Sequence, residues 1–525
     1  MRKESQCLVI GSGIAGLSTA LAAADQGLTV TVVSSADVAR NTNTWYAQGG
    51  IIYHGSSPSP DTLVEDILEA GCRINYLPAV HQLAQEGPKL VKEVLIDRLK
   101  TPFDKSGKDG GLHLTREGAH SEARIVHIGD ETGKGIEEKL LEACQSHANI
   151  QFILGTTAVN LLMTSYHCKH RSDRHDPATC FGAFVFDQKS ETVYPIYADH
   201  TVLATGGVGQ LYLHSTNSTF ARGDGIALAH RAGCRLENLE YVQFHPTTFF
   251  DPRSPRFLIS EALRGEGALL VNGAGERFLT KYLPQYPTPE LAPRDRVAWG
   301  IHQEMLSSNS ACVYLDISHK PAAWIKERFP FVYRTCLQYQ VDITKLPIPV
   351  VPGAHYLCGG VWVDLKGQTS LANLWATGEV ACTGLHGANR LASTSLLEGL
   401  VWGTKAGLAI ADRVKQSGTM KFPAIEEWVS EESQVDPAFL SQDWLTLKHT
   451  MWNYAGLIKT HARLARAEGI LGELARGIDV FYRKARLSDS LIGLRHASLV
   501  ALLILEASHR NPKSLGCYLR EDMEI

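Results

Sequence analysis

The first residues whose spacing could do chemistry are three glycines in the sequence Gly-Ser-Gly-Ile-Ala-Gly. The first allows a tight turn out of a strand, the second lets the backbone approach a phosphate, and the third lets a helix pack closely on the strand. A pyrophosphate would lie at the helix N-terminus, where free N–H groups and the helix dipole favour negative charge. The predicted dinucleotide contacts are the six residues of this motif, Gly11, Ser12, Gly13, Ile14, Ala15 and Gly16.

The residue that would bind the ribose of NAD is absent from the end of the second predicted strand. Ser34 and Ser35 stand where an acidic residue is expected. This disfavours NAD and leaves FAD, for which we expect a contact from Ser35. An ordinary strand-to-helix turn would also use such glycines, but the strand before and the helix after them favour the dinucleotide interpretation.

The elements that position the turn can be predicted from hydrophobic patterns. Residues 7–10 are apolar and predict a strand, the small residues of 14–26 predict a helix, and the β-branched residues of 29–33 predict a second strand. A chain that opens in this way starts on a central strand of a doubly wound α/β domain. Strand-like runs at residues 180–187 and 192–204 continue the pattern.

The composition is that of an ordinary globular protein. The chain has 525 residues and a formal net charge of −4, so nothing in its charge indicates nucleic acid or an anionic membrane as a partner. Its eleven cysteines have scattered spacings without a CxxC pair. This usage is typical of a reducing compartment, so we expect a cytoplasmic protein without an iron–sulfur cluster.

Two other stretches suggest sites at first sight. Residues 167–180 contain several histidines and cysteines, but their spacing fits no standard zinc pattern, so we expect a polar exposed loop and no metal. The longest apolar run, residues 499–505, is far too short to span a membrane. It predicts the core of a helical bundle.

Three further segments go beyond generic dinucleotide binding. They read Thr-Trp-Tyr-Ala-Gln-Gly-Gly at residues 44–50, Ala-Thr-Gly-Gly at 204–207 with Arg-Gly-Asp-Gly at 222–225, and Ala-Thr-Gly-Glu at 376–379 with Gly-Ala-Asn-Arg-Leu-Ala-Ser at 387–393. With them the chain closely resembles the succinate dehydrogenase/fumarate reductase flavoprotein family from residue 7 to about 520. Within that family, the members that oxidise L-aspartate are the most similar.

The resemblance implies an α/β fold in three parts. A Rossmann-like FAD-binding domain would comprise residues 1–238 and 353–422. An α+β capping domain would be inserted at 239–352, where proline-rich turns change the texture of the sequence. A C-terminal helical domain would comprise 423–525, which has helical periodicity and is rich in Ala, Leu, Arg and Glu.

The resemblance also implies how the flavin is held. In the family's membrane-complex enzymes a histidine just before Ala-Gln-Gly-Gly carries FAD covalently, but the matching residue here is Asn43, whose amide cannot form that bond. Near the C-terminus, Ser-Leu-Gly-Cys-Tyr at 514–518 replaces the family's Ser-Arg-Gly-x-His, which is consistent with loose binding. We therefore expect non-covalent FAD. Its further implied contacts are Asn43, Thr44, Trp45, Tyr46, Ala47, Gln48, Gly49, Gly50, Ala158, Val159, Asp224, Glu379, Ser395 and Leu396.

Catalytic roles follow from the same resemblance. Arg294 would be the acid/base near the flavin, with Glu261 and Arg264 as its relay to solvent. Glu261 and Arg264 are three apart and would share one face of a helix; alone, they would more often be an exposed surface pair. A guanidinium normally stays charged and would exchange a proton only in a crowded, dry, cationic site. The residues implied to bind the two carboxylates of a C4 dicarboxylate are His245, Ser260, His355 and Arg390.

Glu117 is the residue on which the substrate prediction depends. In the fumarate and succinate enzymes of the family that the chain resembles, the position matching Glu117 is a phenylalanine. A carboxylate beside the α-ammonium of L-aspartate would add a hydrogen bond worth about 1.5–3 kcal/mol, whereas beside the methylene of succinate it would lack a partner. The expected reaction is oxidation of L-aspartate to iminoaspartate, which quinolinate synthase would consume in de novo NAD synthesis. O₂ or fumarate would reoxidise the flavin.

Other functions stay open at this point. A soluble fumarate reductase would use the same dicarboxylate site. An electron-transfer subunit docked to an iron–sulfur partner is disfavoured by Asn43 and by the helical tail. A regulatory flavin-binding protein would need a broken catalytic set, whereas Arg294, Glu261 and His355 are all present.

Overall fold

The computed structural model describes residues 3–55, 59–107, 110–175, 177–254, 256–429, 431 and 433–522. A seven-stranded sheet forms the centre of the fold. Four neighbouring strands, from Ile150–Ile153 to Thr192–Leu203, pair in parallel, and Leu374–Ala376 joins them as a fifth parallel strand. The other two strands, Cys180–Asp187 and Thr156–Met163, are added through antiparallel pairings. In spatial order the strands are Ile150–Ile153, Val30–Val33, Lys3–Ile10, Thr192–Leu203, Cys180–Asp187 and Thr156–Met163, with Leu374–Ala376 also paired to Thr192–Leu203.

The opening of the chain forms the predicted strand, turn, helix and strand. Lys3–Ile10 lies inside the sheet, the helix Ile14–Asp25 follows the glycine turn, and Val30–Val33 pairs with the first strand. This helix packs on Ser395–Ser417, which faces it with glycines four residues apart. A Cβ on Gly403 would lie 2.5 Å from the carbonyl oxygen of Ala15, so only glycine allows the two backbones to approach this closely.

A second sheet of four antiparallel strands stands apart from the first. Its order is Val242–Phe249, Ile348–Leu357, Val313–Asp316 and Leu269–Val271. Most of it packs around a second hydrophobic core, while Val242, Phe244 and Leu357 join the core of the large sheet. The strand Ile348–Leu357 crosses the boundary expected between residues 352 and 353, and the division into domains stays a prediction. The helices around this sheet are Glu261–Gly265, Leu279–Tyr282, Arg294–Ser308, Ala322–Arg328 and Pro330–Gln338.

Three long helices form the C-terminal region: Pro437–Ala455, His461–Lys484 and Asp489–Arg510. In the part of the chain that the structure describes, Asp489–Arg510 is the one helix long and apolar enough to cross a membrane, but 61% of its apolar stretch is buried inside the protein. Val500, Ile504 and Leu505 are among its buried side chains. The apolar run at 499–505 is therefore part of the helical core, as predicted.

Shorter elements connect these layers. The remaining helices are Asp61–Ala70, Leu77–Leu90 with its π-helical extension Val91–Arg98, Thr132–Ser146, Thr164–His167 and Asp224–Ala232. The 3₁₀ turns are Arg171–His175, Gly209–Leu211, Pro289–Leu291 and Gly378–Val380. The short strands are Ile51–Ile52, Lys105–Ser106, Gly111–Leu112, Leu114–Thr115, Ile125–Val126, Leu236–Glu237, Gly360–Trp362, Ala381–Cys382, Ile458–Lys459 and Leu519–Arg520. The predicted α/β class with a helical C-terminal region is confirmed.

The polar stretch at 167–179 is mostly exposed, as predicted, but it contains the 3₁₀ turn Arg171–His175 and a buried residue. Cys168 is fully buried and forms a β-bridge with Ile425, and its carbonyl accepts hydrogen bonds from Arg174 at 3.0 and 3.1 Å. Asp176 lies outside the described residues. The prediction missed only the buried position of Cys168, where a polar side chain satisfies the backbone as water would.

Candidate active site

A large cavity begins at the glycine turn and ends between the two sheets. Most of the residues predicted from the sequence line it, including Glu117, Glu261, Arg294, His355 and Arg390. The exceptions are Gly16, Trp45, Val159 and Arg264.

The four exceptions lie behind the cavity wall. A Cβ on Gly16 would meet the carbonyl oxygen of Gly11 at 2.1 Å, so this glycine allows helix and strand to pack. The ring of Trp45 faces the guanidinium of Arg40, and Val159 belongs to a hydrophobic cluster of the sheet. Arg264 is fully buried behind Glu261.

The glycine turn gives one end of the cavity the properties of an anion site. Gly11 has φ of +121°, and a Cβ there would lie 2.1 Å from the carbonyl oxygen of Ala204, so no other residue fits. The helix Ile14–Asp25 begins with neither a side-chain cap nor an acidic residue in its first turn. The helix N-terminus is thus open to a negative group such as the FAD pyrophosphate.

The middle of the cavity holds Asn43 and Glu379. The Asn43 side chain donates to Glu379 Oε2 at 3.1 Å and accepts from the backbone N–H of Ser218 at 2.9 Å. Burial raises the pKa of Glu379 to about 7, so the group can donate as well as accept a hydrogen bond near neutrality. A Cβ on Gly207 would lie 2.0 Å from this carboxyl, which explains the paired glycines. These groups suit the hydroxyls of a ribityl chain.

A buried cluster of two arginines and one glutamate lies at the far end. Ser260 caps the helix Glu261–Gly265 by accepting from the N–H of Ala262 at 3.2 Å, which places Glu261 in the first turn. Arg294 Nε donates to Glu261 Oε2 at 2.6 Å, and Arg264 Nη2 lies 3.6 Å from the same oxygen. Burial alone would raise the pKa of Glu261, but the two guanidinium groups lower it to about 2. Glu261 is therefore ionised at neutral pH.

Two histidines reach the cavity from paired strands. His245 lies on Val242–Phe249 and His355 on Ile348–Leu357, with ring centroids 5.2 Å apart. Burial and the nearby arginines hold the pKa of both well below the usual value, so both are neutral at pH 7. The N–H of Thr247 donates to His245 Nδ1 at 3.2 Å. Both the N–H and the carbonyl of Thr247 lie 3.2 Å from this nitrogen, so the backbone of Thr247 holds the ring in place.

Gln243 is a residue of this site that sequence reasoning missed. Its Oε1 accepts from Arg390 Nη2 at 3.2 Å and from Arg294 Nη1 at 3.4 Å. Its Nε2 donates to Asn389 Oδ1 and to the carbonyl of Arg390 at 2.7 and 2.9 Å, which fixes the amide orientation. The available signal was its position two residues before His245, because alternate residues of a strand share a face.

Arg390 and Glu117 complete the cavity wall. The Arg390 guanidinium lies 4.6 Å from the ring centroid of Tyr356, and burial with the nearby Arg294 lowers its pKa to about 10. Ser393 donates to Glu117 Oε2 at 2.7 Å, and burial raises the pKa of Glu117. The cavity wall thus holds the carboxyl of Glu117 together with the guanidinium and imidazole groups described above, which can bind carboxylates.

Comparison with known proteins agrees with this arrangement. The sequence profile of the family described as "FAD binding domain" matches residues 6–396. The chain is 41% identical to the L-aspartate oxidase of Pseudomonas aeruginosa over 99% of this chain and 95% of that protein. It is also 41% identical to the L-aspartate oxidase of Halobacterium salinarum, over 98% and 96% of the two chains.

Its fold resembles that of the quinol fumarate reductase chain FrdA of E. coli. The TM-score is 0.88 at 27% identity, with 99% of this chain and 92% of that chain covered. This structural similarity supports the flavoprotein fold, and the sequence identities show which family of flavoproteins the chain belongs to. The chain therefore belongs to the L-aspartate oxidases, a family of flavoproteins built on this FAD-binding domain.

Proposed function

We propose that this chain oxidises L-aspartate to iminoaspartate with non-covalently held FAD, as the first step of de novo NAD biosynthesis through quinolinate. The observation that carries the proposal is the carboxyl of Glu117 in the wall of a cavity otherwise suited to dicarboxylates. A cationic cluster alone would accept any C4 dicarboxylate. The carboxyl of Glu117 adds a partner for the α-ammonium group of L-aspartate, whereas the carboxylate of Glu261 is already paired with Arg294 and Arg264.

Four side chains bind the two substrate carboxylates. Arg390 offers parallel N–H groups that bind a carboxylate through two hydrogen bonds. His245 supplies one imidazole, and His355, held through Nδ1 by Thr216 at 2.7 Å, supplies a second. The hydroxyl of Ser260, where the family usually has threonine, completes the set. Neutral imidazoles bind a carboxylate without the cost of burying a further charge.

Arg294 is the acid/base group, and its partners provide the route for the proton. The relay must first lose one proton: Arg264 releases it toward solvent, Glu261 passes a proton from Arg294 to Arg264, and the neutral guanidine of Arg294 then takes up the proton released by the substrate. The 2.6 Å contact between Arg294 and Glu261 supports the transfer between these two groups. Arg264 is fully buried, and burial lowers its pKa, which eases proton loss from a group that otherwise stays charged.

FAD, when bound, accepts the hydride from the substrate Cα. The six residues of the glycine turn hold its pyrophosphate, and Ser35, Glu379, Ser395 and Leu396 contact other parts of it. Both ends of the Asn43 amide are engaged by protein groups, which supports binding without a covalent bond. The flavin returns its electrons to O₂, which becomes H₂O₂, or to fumarate, which becomes succinate.

The product belongs to a pathway that must use it quickly, because an imine hydrolyses in water. We propose that iminoaspartate is handed to quinolinate synthase.

All eleven cysteines are free thiols, which supports residence in a reducing compartment such as the cytoplasm.

Exchange of one carboxylate for an amide tests the role of Glu117. Glu117→Gln keeps the shape but removes the charge, so KM for L-aspartate should rise about tenfold to a hundredfold, which corresponds to about 1.5–3 kcal/mol. The inhibition constant of succinate should change by less than about twofold, since succinate has no ammonium group. Steady-state oxidation of L-aspartate with succinate as competitor measures both.

The matched control is Glu266→Gln, which removes a carboxylate that pairs with Arg328 outside the cavity. It should leave both constants unchanged. Equal effects of Glu117→Gln on L-aspartate and succinate would remove Glu117 from substrate recognition.

A second candidate is a soluble fumarate reductase, which the structural similarity to FrdA favours. Its reaction uses the same carboxylate-binding groups and the same proton route in reverse. Fumarate reduction gives no role to the carboxyl of Glu117. The variant Glu117→Gln therefore separates the two functions.

A further inference from the structure

The segment that carries Glu117 is a tight turn with an unfavourable backbone. The N–H of His120 donates to the carbonyl of Glu117 at 3.3 Å, which closes a four-residue turn. Ala119, the third residue of this turn, has φ of +63°. A side chain in this left-handed region costs on the order of 1–2 kcal/mol. Such a turn keeps its shape only where the surrounding structure holds it.

A buried ion pair holds the C-terminal side of the turn. Asp66 Oδ2 accepts hydrogen bonds from the backbone N–H and the hydroxyl of Ser121, both at 2.9 Å. Arg124 Nη1 lies 3.0 Å from the same oxygen, and its Nη2 donates to the Ser121 hydroxyl at 3.0 Å. Asp66 is 7% exposed and Arg124 is 1% exposed. We name this arrangement of Asp66, Ser121 and Arg124 the Asp66–Arg124 anchor.

The other side of the turn is attached to the segment that carries Arg390. His120 is buried, and its Nε2 donates to the carbonyl of Ala392 at 3.0 Å. Ser393 donates to the Glu117 carboxylate at 2.7 Å. Glu117 is thus held between the helix Asp61–Ala70, through the anchor, and the residues next to Arg390.

Stability alone does not account for the anchor. Burying two charges costs several kcal/mol of desolvation, and a well-packed apolar pair of similar size is often as stable or more stable. What a buried, multiply hydrogen-bonded pair does supply is a fixed geometry. The anchor fixes Ser121, four residues from Glu117 along a turn that would otherwise relax.

We propose that the Asp66–Arg124 anchor positions the Glu117 carboxylate against the substrate ammonium group and so sets the preference for L-aspartate over dicarboxylates that lack nitrogen. The inference rests on the proposed role of Glu117. Asp66 and Arg124 are positioning residues, because they act through Glu117 and do not line the cavity.

A double-mutant cycle on the FAD-loaded enzyme tests the proposal. Asp66→Asn keeps the shape of the side chain and removes the ion pair, and a misplaced Glu117 should raise KM for L-aspartate roughly tenfold. Because the flavin and the proton route are untouched, kcat and the inhibition constant of succinate should change by less than about twofold. In the Glu117→Gln background, Asp66→Asn should add no further increase in KM. Ser121→Ala, which removes the two hydrogen bonds of the Ser121 hydroxyl but leaves the ion pair, should give a smaller selective rise.

The outcomes separate this inference from the proposed function. Equal loss of L-aspartate and succinate binding in Asp66→Asn, or effects that add fully in the double variant, would overturn the anchor as a specificity element. A Glu117→Gln enzyme with no selective defect would instead overturn the role of Glu117. Should Asp66→Asn fold poorly, Ser121→Ala carries the same test. Glu69→Gln, an exposed carboxylate on the same helix, is the control and should change nothing.

Discussion

At the scale of single residues, two guanidinium groups share one neutral acceptor. Arg294 and Arg390 repel each other, and each lies within 3.4 Å of Gln243 Oε1. An amide oxygen can accept from both without neutralising either. A carboxylate in its place would bind the arginines more strongly and would compete with the substrate. Gln243 thus keeps the cations in place and leaves their charge for the ligand.

Replacement of this amide should weaken substrate binding while the flavin stays bound. Gln243→Leu removes an acceptor shared by two charged donors, so kcat/KM for L-aspartate should fall about tenfold to a hundredfold. FAD affinity, followed by flavin fluorescence, should not change. Gln82→Leu is the control, since that amide donates to Leu365 away from the cavity. Equal losses in the two variants would show that Gln243 acts only through general packing.

At the scale of elements, the C-terminal helix Asp489–Arg510 supports the cavity wall from behind, through contacts with Arg222 and Asp224. Its first residue, Asp489, pairs with Arg222 at 2.8 Å, and Arg222 pairs with Asp224 at 2.9 Å. His496 of the same helix lies 3.2 Å from the other oxygen of Asp224. Asp224 lines the cavity. Docking of this helix therefore fixes a carboxylate at the cofactor site.

Loss of the first link in this chain should loosen both the helix and the flavin. Asp489→Asn removes a charged partner of the buried Arg222, which should cost about 1–3 kcal/mol of unfolding free energy and raise the Kd for FAD. Urea unfolding and a flavin fluorescence titration measure the two effects. Asp479→Asn breaks an exposed pair with Arg495 and should cost less than about 1 kcal/mol. An unchanged Kd in Asp489→Asn would separate the helix from the cofactor site.

At the scale of the whole molecule, buried titratable groups set how stability depends on pH. Among the histidines whose pKa burial lowers, the pKa falls to about 4 for His120, His167, His200 and His496 and to about 3 for His214. Among the carboxyls whose pKa burial raises, the largest changes are those of Glu137, to about 8, and Glu379, to about 7. Both kinds of group are neutral in the fold near pH 6.5, where the unfolded carboxyls are already charged.

The two sets act in opposite directions as pH rises. Below pH 6.5 the unfolded chain protonates its histidines more readily than the fold does, so stability is lost as pH falls toward 4. From about pH 4.5 to 8 the two carboxyls of the fold keep protons that the unfolded chain has lost, so they make stability fall as pH rises, and above pH 6.5 the histidines no longer offset this loss. Urea midpoints of the FAD-free chain, read from tryptophan fluorescence, should therefore peak near pH 6.5. Each proton by which the folded and unfolded chains differ changes the free energy of unfolding by about 1.4 kcal/mol per pH unit. A midpoint that rises steadily from pH 6.5 to 8 would contradict the assignment.

The limits of sequence reasoning follow from how far apart the partners are. The glycine turn, its strands and its helix are local; the helix and the second strand lie within about one residue of their predicted bounds, whereas the first strand begins at Lys3, four residues before its predicted start. The contact between Glu117 and Ser393 joins residues 276 positions apart, and nothing in either segment indicates its partner. The same holds for the Asp66–Arg124 anchor and for Gln243. Pairings of this kind depend on the path of the whole chain, which local patterns do not contain.

The central claim is that the cavity oxidises L-aspartate with bound FAD. Anaerobic mixing of the FAD-loaded protein with L-aspartate tests it most directly, because no electron acceptor other than the flavin is then present. The account predicts that L-aspartate bleaches the flavin absorbance, that succinate does so far less, and that Glu117→Gln needs much more L-aspartate for the same rate. Flavin that stays oxidised with L-aspartate, while pre-reduced flavin is reoxidised by fumarate, would contradict the account and leave a fumarate reductase.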